Sequence, residues 1–347
     1  MPTSEPVSNA LLPPGGRVLV VRLSALGDVL FALETVAALK AARPDVAVDF
    51  LVADSFAALL AGHPQLDRVV VWPRKRIGRL PAAVRELRRV RYDLALDLHG
   101  ILKSSVPLAL ARARLKVGFA PPGSREGSHW FHHRSIPLPT PLPHRADRGL
   151  LLLAALGIPV ADTQPRLDAV EPPPGPLDAL PTPRVLLHPG TSAFAAFKRW
   201  PADRHAELAR RLLARGIGVA VSHGPGEREL VEPVLRAAPG AHDLDGTRLG
   251  LRGLAGAMRR FDVVVAADTG PLHLACAMGA SAVALFGPKD TAKYGPRSHG
   301  TARNVVLHAD VPCRPCTRRD CATPQCVLGI SVDEAEQAVM QLLEARS

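Results

Sequence analysis

The chain has 347 residues, 47% of them hydrophobic and 22% charged, with a formal net charge of +11. That length exceeds what one hydrophobic core usually serves, so two domains are expected, and the apolar content excludes intrinsic disorder. No apolar run reaches the ~18 to 20 residues of a membrane-spanning helix.

The first sixteen residues read as a leader without the basic start and apolar stretch of an export signal, so a cytoplasmic protein is expected. RVLVVRL (17–23) is a β-branched run suited to a strand buried on both faces. A helix is predicted over 28–42, closed by Arg43-Pro44. Then follow a strand at 46–52, a short helix near 55–61, a strand at 68–72, a helix at about 79–91 and a strand at 93–98. The alternation restarts with a strand at 184–188, a helix at 203–215, a strand at 218–222, helices at 226–237 and 249–259, a strand at 262–266, a helix at 271–279 and a strand at 281–286. Strands alternating with helices imply parallel, doubly wound sheets, one in residues 17–158 and one in 184–332. Between them, 159–183 contains eight prolines and reads as a semi-rigid linker. A last helix, 333–345, begins after Ser331-Val-Asp-Glu, which has the form of a capping box, and is expected to pack back across the linker.

The turn after the first strand is Ser24-Ala25-Leu26-Gly27-Asp28, where a dinucleotide-binding domain would show G-x-G-x-x-G. It puts Asp28 beyond the carboxyl end of strand one, where open α/β sheets bind ligands. A role as helix N-cap would equally account for an aspartate there. In the second half, His188-Pro189-Gly190-Thr191-Ser192 offers hydroxyls and backbone N–H groups to a phosphate. Lys198 and Arg199 precede a helix start, an unfavourable place for cations unless an anion binds there, although solvated side chains are the other reading. Glu227 follows the next strand and is able to accept hydrogen bonds from ribose hydroxyls, or is an ordinary first-turn acid. Asp268-Thr269-Gly270-Pro271-Leu272-His273 opens a helix whose free N–H groups form a second anion site, with His273 either near the phosphates or merely packed.

Taken together, RVLVVRLSALGDVLFALETVAALK, YDLALDLHGILKSS, HPGTSAFAAFKRWP, GPGERE and ADTGPLHLACAMGA resemble glycosyltransferase family nine, the ADP-heptose:lipopolysaccharide heptosyltransferases, from about residue 17 to 345. The resemblance implies a GT-B fold, two Rossmann-like domains facing a central cleft, with the N-terminal one for the acceptor and the C-terminal one for the nucleotide sugar. It implies Asp28 as catalytic base, Lys198 on the donor diphosphate, and Thr191, Ser192, Glu227, Asp268, Thr269 and Gly270 lining the nucleotide pocket. The implied reaction is an inverting transfer from ADP-heptose to a lipopolysaccharide core or related glycolipid acceptor. No metal is expected to be required, because no D-x-D pair is placed to hold a metal–diphosphate complex. The chain departs from the family in the apolar stretch 193–197 and in Ala25 and Leu26 of the catalytic turn.

Alternatives are a GT-B transferase with another nucleotide sugar or acceptor, a donor-binding protein without turnover, and a basic nucleic-acid-binding protein. The last is weakened because the arginines of 74–91 lack interleaved aromatics and alternate with Leu80, Ala83, Val84, Leu87 and Val90, one packed helix face. The basic face that remains, Arg85, Arg88 and Arg89, is expected to meet a phosphorylated glycolipid or the anionic inner membrane. Finally, Cys313, Cys316, Cys321 and Cys326 lie within fourteen residues. They suggest a structural zinc, an iron–sulfur cluster or a set of reduced thiols.

Overall fold

The computed structural model of the chain describes residues 11–74, 76–161, 167, 176–298 and 300–346. Most of the proline-rich linker lies outside these residues, as does Lys75. The chain divides into two compact units, Met1–Ala169 and Val170–Ser347.

The first unit runs β1 (Arg17–Val21), α1 (Leu26–Ala42), β2 (Ala47–Ala53), α2 (Asp54–Leu60), β3 (Arg68–Trp72), α3 (Leu80–Leu87), β4 (Tyr92–Asp97), α4 (Leu102–Leu110), β5 (Ala113–Phe119), β6 (Arg134–Ile136) and α5 (Arg145–Ala155). Its six parallel strands stand in the order β3-β2-β1-β4-β5-β6, with Val20 opposite Phe50 on one side and Leu96 on the other. A strand with neighbours on both sides and helices on both faces has no polar face, which is why β1 reads as an unbroken apolar run. Leu19, Val21, Leu51, Val70, Tyr92 and Ala95 form one of its core clusters. Asp49, wholly buried in β2, is accommodated by the Tyr92 hydroxyl at 2.9 Å and by Arg17 and Arg68 at 2.8 and 3.2 Å.

The second unit repeats the plan. It comprises β7 (Arg184–His188), α6 (Ala202–Ala214), β8 (Gly218–His223), α7 (Arg228–Ala237), β9 (His242–Asp245), α8 (Gly246–Met258), β10 (Val263–Ala267), α9 (Gly270–Ala277), β11 (Ser281–Leu285), α10 (Thr291–Tyr294), β12 (Asn304–Leu307), α11 (Gln325–Leu328) and α12 (Val332–Glu344). The parallel order is β12-β11-β10-β7-β8-β9. In each sheet the strand order reverses once, between β1 and β4 and between β7 and β10, and such switch points are where α/β sheets bind ligands.

Several expectations need correction. The helix expected at 79–91 ends at Leu87, because Arg88 to Val90 turn out of it. The helix expected at 249–259 starts at Gly246 and is interrupted at Gly250, whose φ of 64° is open to glycine. Strands β5, β6, β9 and β12 and helices α4 and α5 had no counterpart in the periodicity. The last helix does carry its capping box, with Glu334 N–H donating to Ser331 Oγ at 3.2 Å and Ser331 N–H to Glu334 Oε2 at 2.7 Å. It covers its own sheet: Ala335, Ala338, Val339, Leu342 and Leu343 enter the core with Val185, Leu187 and Val283. No helix among the described residues is long and apolar enough to cross a membrane.

Candidate active site

In the first unit the site grows from the β1–α1 turn. Ala25 is the N-cap of α1 and makes no side-chain cap, so Asp28 stands inside the first turn. The capping reading of Asp28 is thereby replaced: its carboxylate pairs with Arg22. Arg22, at the end of the β1 run, is 4% exposed and also donates to the Leu98 carbonyl beyond β4. The pocket around the carboxylate is lined by Arg22, Phe31, Leu98, Phe119, Arg145 and Arg148. Burial opposes ionisation of Asp28, but the charges of Arg22 and Arg145 outweigh it and hold the carboxyl below the usual aspartate range. His99, also near, is pushed down to about 3, first by burial and then by the Arg22 charge, and stays neutral. The sequence reading named Asp28 alone. Arg22 was hidden within a strand pattern, and Arg145 and Arg148 arrive on α5, far along the chain.

The loop after β4 is held from below by Asp97. This buried carboxylate accepts from the backbone N–H groups of His99 and Gly100 at 2.9 and 3.2 Å and from Ser104 Oγ at 3.1 Å, and faces His132 Nε2 at 3.3 Å. Lys103 Nζ, on α4, then reaches Ser24 Oγ of the β1–α1 turn at 3.2 Å.

In the second unit, Lys198 ion-pairs with Asp268 and donates to its carbonyl at 3.1 Å. His273 Nε2 lies 3.7 Å from the other Asp268 oxygen. Burial again opposes ionisation of Asp268, and the neighbouring His273 and the Lys198 charge outweigh it. Thr269 is the N-cap of α9 with its hydroxyl turned to the Ala267 carbonyl at 3.1 Å, Gly270 is the first helical residue, and Pro271 fits the first turn. The structure thus brings Lys198, Asp268, Thr269, Gly270 and His273 together at the carboxyl end of β10.

Ala266 of β10 is opposite His188 of β7. His188 is buried and bonded through Nδ1 to Ser222 Oγ at 2.9 Å, and burial keeps it neutral. Its Nε2 is 3.7 Å from Glu227, which accepts from the Gly224 N–H at 2.7 Å. Glu227 stands at the N-cap of α7 and lies across Gly190, where an added Cβ would come within 2.4 Å of its carboxyl carbon. The H-P-G turn therefore needs glycine because another turn's carboxylate occupies that space. Thr191, 2% exposed, is tied into its own loop: it donates to the Ala195 carbonyl at 3.1 Å and accepts from Arg199 Nε at 3.0 Å. Ser192 is exposed. Arg199, suggested as a solvated or phosphate-facing cation, is the strut of the 191–199 loop.

The remaining expected sites fare differently. Arg85, Arg88 and Arg89 are exposed, but only Arg85 belongs to α3, and Arg89 pairs with Glu86 at 3.2 Å. Among the described residues no group of three or more His, Cys, Asp or Glu side chains is arranged to hold a metal. Cys326 is buried in the second core while Cys313 is exposed, and all four are free thiols. Their segment packs on the exit of β11, with Arg314 Nε on the Gly287 carbonyl at 2.8 Å and Cys316 N–H on that of Pro288 at 2.7 Å.

Twin Rossmann-type sheets with charged turns at their switch points are the architecture of the GT-B glycosyltransferases. Residues 81–327 match the family described as glycosyltransferase family 9 (heptosyltransferase), and the chain belongs to that family. It is 30% identical over 323 residues to lipopolysaccharide heptosyltransferase 1 of Pseudomonas aeruginosa, spanning 88% of this chain and 87% of the relative. Its fold is similar to that of the E. coli heptosyltransferase WaaC with ADP, at a TM-score of 0.76 and 24% identity over 94% of this chain and 99% of that one. The family 9 glycosyl transferase from Veillonella parvula gives a TM-score of 0.80 at 22% identity, covering 95% and 98%. The chain is accordingly a glycosyltransferase, a heptosyltransferase of lipopolysaccharide biosynthesis.

Proposed function

We propose that the chain transfers heptose from ADP-heptose to an anionic inner-core lipopolysaccharide acceptor, with inversion and without a metal. The observation that carries this reading is the ionised Asp28 set among Arg22, Arg145 and Arg148 at a sheet switch point. An acceptor hydroxyl is too weak an acid to attack as an alkoxide at neutral pH. Asp28 takes its proton as the new C–O bond forms at the anomeric carbon, and the bond to the diphosphate breaks with its electrons leaving on ADP. General-base help of this kind contributes ~10² to 10⁴ in rate.

The guanidinium groups of Arg22, Arg145 and Arg148 line this pocket beside Asp28, and a cationic lining favours an acidic glycolipid with a carboxylate or phosphate over a neutral sugar. In the second unit, Lys198, the Thr269 and Gly270 N–H groups and His273 stabilise the departing diphosphate, as preorganised donors do for developing charge. Glu227 accepts from the ribose hydroxyls, and Ser192 and the exposed loop backbone meet the phosphates, the Thr191 hydroxyl being engaged within the loop. Arg85 and Arg88 add to the protein's attraction for an anionic inner-membrane surface. Two of these features have parallels in relatives: the E. coli structure holds ADP, and the P. aeruginosa relative is named for lipopolysaccharide heptosyl transfer.

The test is a panel of nucleotide sugars scored by the shift each gives to the melting temperature. ADP-heptose should give the largest shift, with chelator present or absent. A UDP- or GDP-sugar stabilising the protein while ADP-heptose does not would overturn the donor assignment.

A further inference from the structure

The most exposed large apolar side chains of the first unit lie beside the catalytic turn. Trp130 is 80% exposed, and Leu102 and Val106 are 44% and 45% exposed. Leu102 and Val106 are four residues apart on α4 and therefore share a face. Trp130 is carried by a 3-10 turn over Ser128–Phe131, and this turn and the residues 125–126 leading into it are tied to residues 100–105 at three points. Leu102 N–H donates to Glu126 Oε2 at 3.2 Å, Ser105 Oγ to the Ser128 carbonyl at 3.3 Å, and Arg125 N–H to the Gly100 carbonyl at 2.8 Å.

This exposure is built. Glu126 has a φ of 57°, which costs a non-glycine residue conformational energy. The indole also lies over Gly127, where a Cβ would come within 2.8 Å of the ring. A strained loop that holds an indole out in water beside two aliphatic side chains is explained if something apolar meets it. The rim is basic: Lys103 and Arg125 are exposed, and the exposed Arg74 lies within electrostatic reach of Lys103. The acid in the same loop, Glu126, has one oxygen engaged by the start of α4. An indole with aliphatic neighbours and a cationic rim matches the interface of an anionic bilayer, where indoles sit at headgroup depth and each nearby cation is attracted to the surface. The same helix reaches Ser24, four residues before Asp28, through Lys103.

We propose that the surface of Leu102, Val106 and Trp130, with Lys103, Arg74 and Arg125 at its rim, docks on an anionic lipid bilayer and presents a lipid-linked acceptor to the turn that carries Asp28. The second half of that statement rests on the heptosyltransferase reading above. The first half stands without it.

The test uses the full chain with vesicles of phosphatidylglycerol and phosphatidylethanolamine, compared with phosphatidylcholine alone. Trp72 and Trp200 are buried, so a change in tryptophan emission reports mainly on Trp130. The chain should sediment with the anionic vesicles, less so as salt rises, with a blue shift of emission. Trp130→Ser and the pair Leu102→Ser, Val106→Ser should each lower vesicle affinity about tenfold or more. They should also slow transfer to vesicle-embedded acceptor while leaving transfer to a water-soluble, delipidated acceptor at the parent rate. Circular dichroism and melting temperature check that they fold.

The proposal is overturned if these variants bind vesicles as the parent does, or if only an Arg85, Arg88, Arg89→Glu variant loses binding. A Trp130→Ser variant that alters oligomeric state and leaves vesicle binding intact overturns it in favour of a second copy on this face. A parent that docks through Trp130 but transfers heptose to neither acceptor supports the docking surface and sinks the functional reading. Transfer to soluble acceptor without any vesicle binding does the reverse.

Discussion

Asp28 owes its properties to Arg22. Burial alone would raise the carboxyl's pKa, and the charges of the paired Arg22 and of Arg145 together outweigh it. A carboxyl depressed in the folded state stabilises the protein above its unfolded pKa, and that contribution is lost as pH falls through the folded value. The acid limb of kcat/KM for the free enzyme therefore falls below the ordinary aspartate range, and activity governed by Asp28 is flat from pH 5 to 8. Arg22→Gln should move that limb upward, because desolvation then acts unopposed by its nearest cation; an unmoved limb would separate Arg22 from the base. Asp28→Asn should lower kcat by about a hundredfold or more with donor affinity nearly unchanged. Lys198→Ala should weaken ADP-heptose binding by at least about tenfold in calorimetry, since a charge-assisted contact is lost. Unchanged affinity would remove Lys198 from the donor site. The motif residues were legible because turns that receive anions require particular residue types. Arg22, Arg145 and Arg148 were not, because nothing local marks a strand-end or helix arginine whose partner comes from tertiary packing.

At the scale of elements, the regular β-α alternation identified strands β1 to β4, β7, β8, β10 and β11 to within a few residues. The failures have causes. β6 is three residues long and β12 is only half-buried along its length, so neither has a period to detect. Helix α4 carries Pro107 and exposes Leu102 and Val106, which blurs its apolar stripe. The C-terminal helix was found through its cap, and that cap is a point of stability. Ser331→Ala should cost about 1 kcal/mol and lower the melting temperature, because it removes the acceptor for the Glu334 N–H. A melting temperature unchanged by the substitution would mean the helix is held by its core contacts alone. Gly190→Ala is expected to be worse for function than for folding, since its Cβ would drive Glu227 off the turn. Donor KM should rise while kcat on saturating donor changes less. Cys313 is exposed while Cys276 and Cys326 are buried, so thiol titration of the native chain should label Cys313 readily and leave the other two until unfolding.

At the scale of the whole molecule, the duplicated α/β plan places a charged turn at the switch point of each sheet. The +11 net charge fits the anionic acceptor and the anionic docking surface proposed above. Part of that charge is spent internally, as in the Arg211 and Arg215 pairs that tie α6 to α12 through Glu336 at 3.1 and 2.8 Å. Heptose transfer with Asp28 as base is the proposed activity of the chain. It is tested most directly by mass spectrometry of a heptose-deficient lipopolysaccharide acceptor after incubation with ADP-heptose and either the parent or Asp28→Asn. The parent should add one heptose and release one ADP per acceptor, and the variant should do so at about a hundredth of the rate or less. Equal rates for the two proteins, or ADP released with no heptose gained by the acceptor, would contradict it.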